Sequence, residues 1–357
     1  MQISSKELSV VVQGAVSPLE TISCLKSIRK YLPDAQIILS TWKNSDISEL
    51  NDLYDELLLN DDPGAVIFEI KERKNNNLNR ILISSRNGIK KAQRPYVLKI
   101  RTDLVLKNNN VLKLCDNFNV RDKEKSLFKQ RIFAYDIFSL KYNKVNGKIL
   151  PLLFHISDWC YLGLKEDLEE FFNISEVVEP EFSQYFKNHK KNDEDIYSSR
   201  LWKMSPEQYF TYSNALKVFK DLKFENYLDI NPENIKISED FIINNFRVFS
   251  PKEWGISSQK KQYKRTNMEA RNLFSYYSYL TQKKDYKKYC YPELDTKDVE
   301  AFEKLYKIKY FEQLRKHFIL INSASPVKKI AECFSVFLYS NKLLCTLFKE
   351  VVCKKRK

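Results

Sequence analysis

The chain has 357 residues, 43% of them hydrophobic and 30% charged, which excludes wholesale disorder and allows one large domain or two smaller ones. Its net charge of +14 is unevenly spread: residues 251–357 hold 24 Lys/Arg against 11 Asp/Glu, while the first 250 hold 36 against 35. Seven scattered Cys with no CxxC pair speak against a disulfide framework and a structural zinc site, and only 6 Gly speak against a turn-rich, repetitive all-β fold.

The opening MQISSKELSVVVQGAV lacks the basic start and long apolar stretch of a signal peptide, and no run approaches the roughly 18 apolar residues of a spanning helix. The expectation is a cytoplasmic protein. Leu8–Val12 is a short β-branched run of the kind that forms a buried strand. Pro18 opens a helical pattern in which Leu19, Ile22, Leu25, Ile28 and Leu32 recur, until Pro33-Asp34 ends it. Gln36–Leu39 reads as a second strand closing on Ser40-Thr41-Trp42, and Tyr54–Leu59 as a third, stopped by Asp61-Asp62-Pro63-Gly64. Asn77–Ala92 suits a helix and Tyr96–Ile100 the next strand. Further on, Arg131–Phe138 and Asp158–Leu164 read as strands and Lys165–Phe172 as a helix. Ser205-Pro206-Glu207-Gln208 is a helix start, with Ser as N-cap, Pro in the first turn and Gln at the third position. The alternation predicts an α/β layered fold with a mainly parallel central sheet.

In such sheets ligands bind outside the carboxyl ends of the strands. Gln13-Gly14, Ser40-Thr41-Trp42, Asp61-Asp62 and Arg101-Thr102-Asp103 all fall at those ends, where costly side chains can meet a cleft instead of a core. His155, His189 and His317 share no metal-ligand spacing, and GxSxG, GxGxxG and P-loop motifs are absent from the sequence.

The order of elements resembles nucleotide-sugar glycosyltransferases of the GT-A type, with LSVVVQ then CLKSI at the start and NGIKKAQRPYVLKIRTD at the Asp-x-Asp position. The resemblance is closer still to the WavE-like lipopolysaccharide-synthesis family. VVQG (11–14), IILSTW (37–42), NDDPG (60–64), NLNR (77–80), YVLKIRTDL (96–104), SDWCYLG (157–163) and SPEQYF (205–210) carry it, in order, over residues 8–256. This divides the chain into an expected transferase domain, 1–256, and a basic, Tyr/Lys-rich helical extension, 257–357.

The resemblance implies a nucleotide-sugar donor and an acceptor in a lipopolysaccharide core or related surface glycan. Asp103 takes the place of the second Asp of Asp-x-Asp and would be the ligand of a divalent Mg or Mn ion, but Arg101 replaces the first. An Arg there can bind phosphate oxygens directly, and the bland alternative is a strand-end ion pair. Gln13, Gly14 and Thr41 fall where this fold meets the donor's base and ribose, and Asn79 and Arg80 are placed to reach the nucleotide. Asp158 and Trp159 belong to the acceptor side, and His155 nearby reads more simply as a core histidine. An inverting enzyme needs a carboxylate base. Asp195, in the acidic run Asp193-Glu194-Asp195, and Glu207, in SPEQYF, compete for that role, with Glu207 preferred.

Near the end, Val327, Ile330, Ala331, Phe334, Phe337 and Leu338 recur at helical spacing beside Lys328, Lys329 and a closing KKRK. An apolar stripe with basic flanks predicts a membrane-surface helix over 327–353 and a peripheral site on an anionic membrane. The competing function is nucleic-acid binding by the basic, aromatic stretch 263–289. No nucleic-acid motif accompanies it, and it leaves the neutral front unexplained.

Overall fold

In the computed structural model of the chain, residues 3–50, 52–69, 73–145, 148–191, 199–260 and 277–300 are described, with backbone alone for 143–145 and 148–150. The β-branched run Leu8–Gln13 forms β1, buried along its whole length. Pro18–Tyr31 follows as α1, burying Thr21, Cys24, Leu25 and Ile28, and Gln36–Trp42 as β2, again wholly buried. β3 is Glu56–Asn60, and Val66–Glu69 (β4) pairs with Lys74–Asn76 (β5) as a small hairpin. Leu78–Lys91 forms α2, Tyr96–Arg101 β6 and Leu104–Leu106 β7. Then come β8 (Ile132–Tyr135), the β9–β10 pair (Tyr142–Val145, Lys148–Pro151), β11 (Cys160–Leu164) and α3 (Lys165–Phe172). The body closes with α4 (Pro206–Val218), α5 (Pro232–Asn245), β12 (Phe246–Phe249), α6 (Pro251–Trp254), β13 (Ile256–Ser258) and α7 (Tyr279–Tyr289).

Seven strands make the main sheet, in the order β12-β8-β11-β6-β1-β2-β3. The fold is the expected layered α/β type. Every neighbouring pair is parallel except those of β11, which runs antiparallel to both β6 and β8. The continuous apolar runs of β1 and β2 follow from this position, since a parallel strand covered on both faces has no solvent side. Alternation divides the side chains between two cores. Val10, Val12, Leu98 and Ile100 pack with α1, while Val11, Val97 and Tyr161 pack with α2, α3, α4 and α5.

α2 lies close on its face of the sheet because of one residue: a Cβ on Gly88 would stand 2.4 Å from Val11 Cγ1 and 3.2 Å from Ser40 Cβ. No side chain fits there without movement.

The chain divides into two units, Met1–Leu294 and Asp295–Lys357, and of the second only residues 295–300 are described. The expected boundary at 256/257 therefore falls inside the first unit. β13 pairs with β7, and α7 is tied to β12 by Gln282, which accepts from Val248 N at 2.9 Å and donates to Val248 O at 2.8 Å. Among the described residues no helix is long and apolar enough to cross a membrane. The stripe over 327–353 lies outside the described residues.

Candidate functional site

β6 projects Lys99 and Arg101 from the same face, two residues apart. Lys99 is fully buried in mid-strand; its ammonium donates to the Asp158 carbonyl and lies 5.8 Å from the centre of the Tyr161 ring. Arg101, at the strand's end, stacks its guanidinium 4.5 Å above the Trp159 ring. It also forks onto Asp103, Nε to Oδ1 at 3.0 Å and Nη2 to Oδ2 at 2.7 Å. Lys260 Nζ lies 2.9 Å from the same Oδ2. Burial opposes charge on Asp103, but Arg101 and then Lys260 outweigh it and hold the carboxyl below its ordinary range.

The segment carrying Asp158 is clamped from several sides. His155 Nδ1 stands 2.8 Å from the Phe138 carbonyl, Ser157 N donates to Ser139 Oγ at 2.9 Å, and Phe154 N donates to Ser238 Oγ at 2.7 Å. Phe138 and Phe154 both adopt left-handed backbone, φ 70° and 56°, which costs a bulky L-residue energy and marks a tightly determined segment. Burial lowers the His155 pKa to about 4, so the imidazole is neutral at physiological pH, as a core histidine would be.

α4 begins against this segment. Ser205 caps it, Gln208 closes the reciprocal box, and Gln208 Nε2 donates to the Leu153 carbonyl at 3.1 Å. That sets Glu207, half-buried in the first turn, beside Asp158. Burial and the Glu207 carboxyl raise the Asp158 pKa to about 6, against the pull of Lys99 and Arg101. Burial also raises Glu207, opposed by its helix-end amide, Ser205, Arg200 and Arg101. Lys99 is pushed down to about 8 by burial, despite Asp158. The Tyr161 hydroxyl, under the influence of both carboxyls, is buried with no hydrogen-bond partner among the described residues.

The residues expected on the donor side divide. Gly14, at the end of β1, has φ 119°, a conformation that favours glycine, and donates to Ser40 O at 3.2 Å. Gln13 and Thr41 are buried. Gln13 Oε1 accepts from Ser84 Oγ at 2.8 Å, and Thr41 Oγ1 meets Ser45 Oγ at 2.9 Å. Asn79 spends its amide on the Val177 backbone, donating to the carbonyl and accepting from the N–H, both at 2.9 Å. Arg80 forks onto Asp62 at 2.6 Å through both nitrogens, tying the loop after β3 to α2. Asp195 lies outside the described residues. The structure thus gathers Arg101, Asp103, Asp158, Trp159 and Glu207, and puts Asn79 and Arg80 to use elsewhere in the fold. Lys99, Arg200 and Lys260 join the site without having stood out in the sequence. A cavity of about 1390 Å³ beside α1, bordered by Lys26, Lys30, Lys107 and Lys252, includes none of the gathered residues.

A divalent ion does not fit this arrangement. Both Asp103 oxygens are engaged by cations, and an ion there would sit against two like charges. Among the described residues no group of three or more His, Cys, Asp or Glu side chains converges to hold one.

The layered α/β sheet carries this charged cluster at its carboxyl edge, the place where folds of this class bind their ligands. The chain belongs to the WavE family: the family model for WavE lipopolysaccharide synthesis matches residues 8–319, which places the protein in lipopolysaccharide biosynthesis. No curated protein matches it.

Proposed function

We propose that the protein is a glycosyltransferase that moves a sugar from a nucleotide-sugar donor to a lipopolysaccharide core or related glycan. The observation that supports this reading is the juxtaposition of a cation pair, Arg101 and Lys260, with a carboxyl pair of raised pKa, Asp158 and Glu207, at the carboxyl edge of the sheet. Sugar transfer needs both. As the anomeric C–O bond of the donor breaks, the nucleoside diphosphate leaves with the electron pair, and nearby positive charge stabilises the growing negative charge. The acceptor hydroxyl forms the new C–O bond and gives its proton to a carboxylate.

Glu207 is assigned as that base. Burial raises its carboxyl above the ordinary range, which strengthens it as a base, and it stands on a fixed helix start instead of a loop. Asp158, deeper and next to Lys99, has its pKa raised by burial and by Glu207, and with Trp159 it is assigned to the acceptor side. A base acting directly on the acceptor implies inversion at the anomeric carbon.

The experiment is a screen of UDP-, GDP-, ADP- and CMP-sugars for turnover with lipooligosaccharide acceptors, followed by Glu207→Gln on the active donor. Glu207→Gln is expected to lower turnover by about a hundredfold or more with the fold intact, the usual loss for a general base. A retained anomeric configuration by NMR, or a folded Glu207→Gln variant within about threefold of wild type, removes Glu207 from this role.

A further inference from the structure

Two cations converge on one carboxylate at the end of β6, and the cluster has an inside and an outside. The Asp103 side chain is 7% exposed, whereas Arg101 is 23% and Lys260 41% exposed. The negative member is turned inward and the positive members outward, and the three together carry a net charge of +1. Trp159 fixes the plane of the guanidinium. A carboxylate that bridges a guanidinium fork and an ammonium presents oxygens to the donors that phosphate oxygens also suit. Next to it, the backbone at Gly14 is open: a Cβ there would find only Thr102 Oγ1, at 3.6 Å. A diphosphate can therefore approach the end of β1 closely while meeting Arg101 and Lys260.

We propose that Arg101 and Lys260 bind and neutralise the donor diphosphate without a divalent cation, and that Asp103 is a positioning residue holding the two cations, not a metal ligand. The inference rests on the transferase reading of this site and deepens it. Lys260 enters as a binding residue through its contact with Asp103, 157 positions earlier in the chain. The arrangement also accounts for Arg101 standing where a metal-binding carboxylate would otherwise be expected.

The test is calorimetric binding of inorganic pyrophosphate to the full chain, in EDTA and then in millimolar Mg²⁺ or Mn²⁺. Affinity in EDTA is expected within about threefold of that with metal. Lys260→Ala is expected to weaken binding about tenfold or more, as loss of a charge-assisted contact does, and Lys260→Arg to restore most of it. Asp103→Asn separates the two roles of the carboxylate. It is expected to weaken pyrophosphate binding only modestly, by about threefold, and equally in EDTA and in Mg²⁺, because the amide oxygen still orients the cations in part, while loss of a metal ligand would weaken only the binding measured with metal.

Binding that requires metal, binding abolished by Asp103→Asn, or a Lys260→Ala variant that binds like wild type would each overturn the proposal. Circular dichroism of each variant guards against misfolding, and Lys260, on the surface, supplies a substitution the fold tolerates. Sugar transfer that occurs only with Mn²⁺ leaves the transferase standing and sinks the metal-free site. Metal-free pyrophosphate binding through Lys260, with none of the nucleotide sugars bound or turned over, does the reverse.

Discussion

Lys99 sits where a lysine is expensive, fully buried in the middle of a sheet strand, and its neighbours explain why it stays. Its ammonium is met by the Asp158 carbonyl and the Tyr161 face, and its charge opposes the rise of the Asp158 pKa. Burial and the Glu207 carboxyl raise Asp158 to about 6, so activity is expected to rise with pH through about 6 as Asp158 loses its proton. Lys99→Met removes the cation that favours the ionised form. The acidic limb of the pH–rate profile is then expected to move upward by about one unit, which is the scale of a single nearby charge. An unmoved limb would detach Lys99 from the carboxyls. In the sequence, YVLKIRTDL shows Arg101 and Asp103 as anomalies at a strand end, but Lys99 looks like any lysine in a β-run. Lys260 is hidden in the same way. It sits in a Lys-rich stretch, and nothing local distinguishes it from solvated neighbours until the fold brings it to Asp103.

At the level of elements, periodicity located most strands and helices but not their directions. Lys165–Phe172 is a helix with the expected bounds, and β2 runs on through Ser40 and Thr41 to Trp42 because β3 stays paired with it as far as Trp42 and Asn60. That β11 runs antiparallel is not written in CYLGL, since burial reads alike in either direction. Charge was the less faithful guide. The +13 of residues 251–357 suggests one solvated extension, yet Asp285 of α7 is buried against Lys141 at 2.7 and 2.8 Å, and Gln282 pairs with the β12 backbone. A net charge summed over a hundred residues conceals such individual pairs, and they bind α7 to the body. Gly88 gives this scale its prediction. With Val11 Cγ1 at 2.4 Å from the position of a new methyl, Gly88→Ala must shift α2 or Val11, for a loss of about 1–3 kcal/mol. Chemical denaturation reads this directly, and an unchanged or raised midpoint would mean that α2 yields without cost.

For the whole molecule, the charge asymmetry also holds for the second unit taken alone. Residues 295–357, the second unit, hold 14 Lys/Arg against 7 Asp/Glu, a net of +7, and they contain the apolar stripe and the closing KKRK. Their sequence alone supports the proposal that this end holds the protein on an anionic membrane. Each basic residue near such a surface contributes about 1 kcal/mol, so a patch of this charge supplies attraction on the scale of stable peripheral binding without any spanning segment. An enzyme held there searches for a lipid-borne acceptor in two dimensions instead of three. The sheet and the Arg101–Asp103–Lys260 cluster lie wholly in the first unit, so chemistry and attachment are expected to separate. Deleting residues 327–357 is expected to weaken co-sedimentation with phosphatidylserine-containing vesicles, while transfer to a short soluble acceptor largely survives. Raising salt from about 0.1 M to 1 M, which shortens the screening length from about 10 Å to about 3 Å, should weaken binding of the full chain in the same assay. If the truncated chain unfolds, the stripe belongs to a core; if it binds vesicles as before, attachment lies elsewhere on the molecule; either result ends the membrane reading of 327–357.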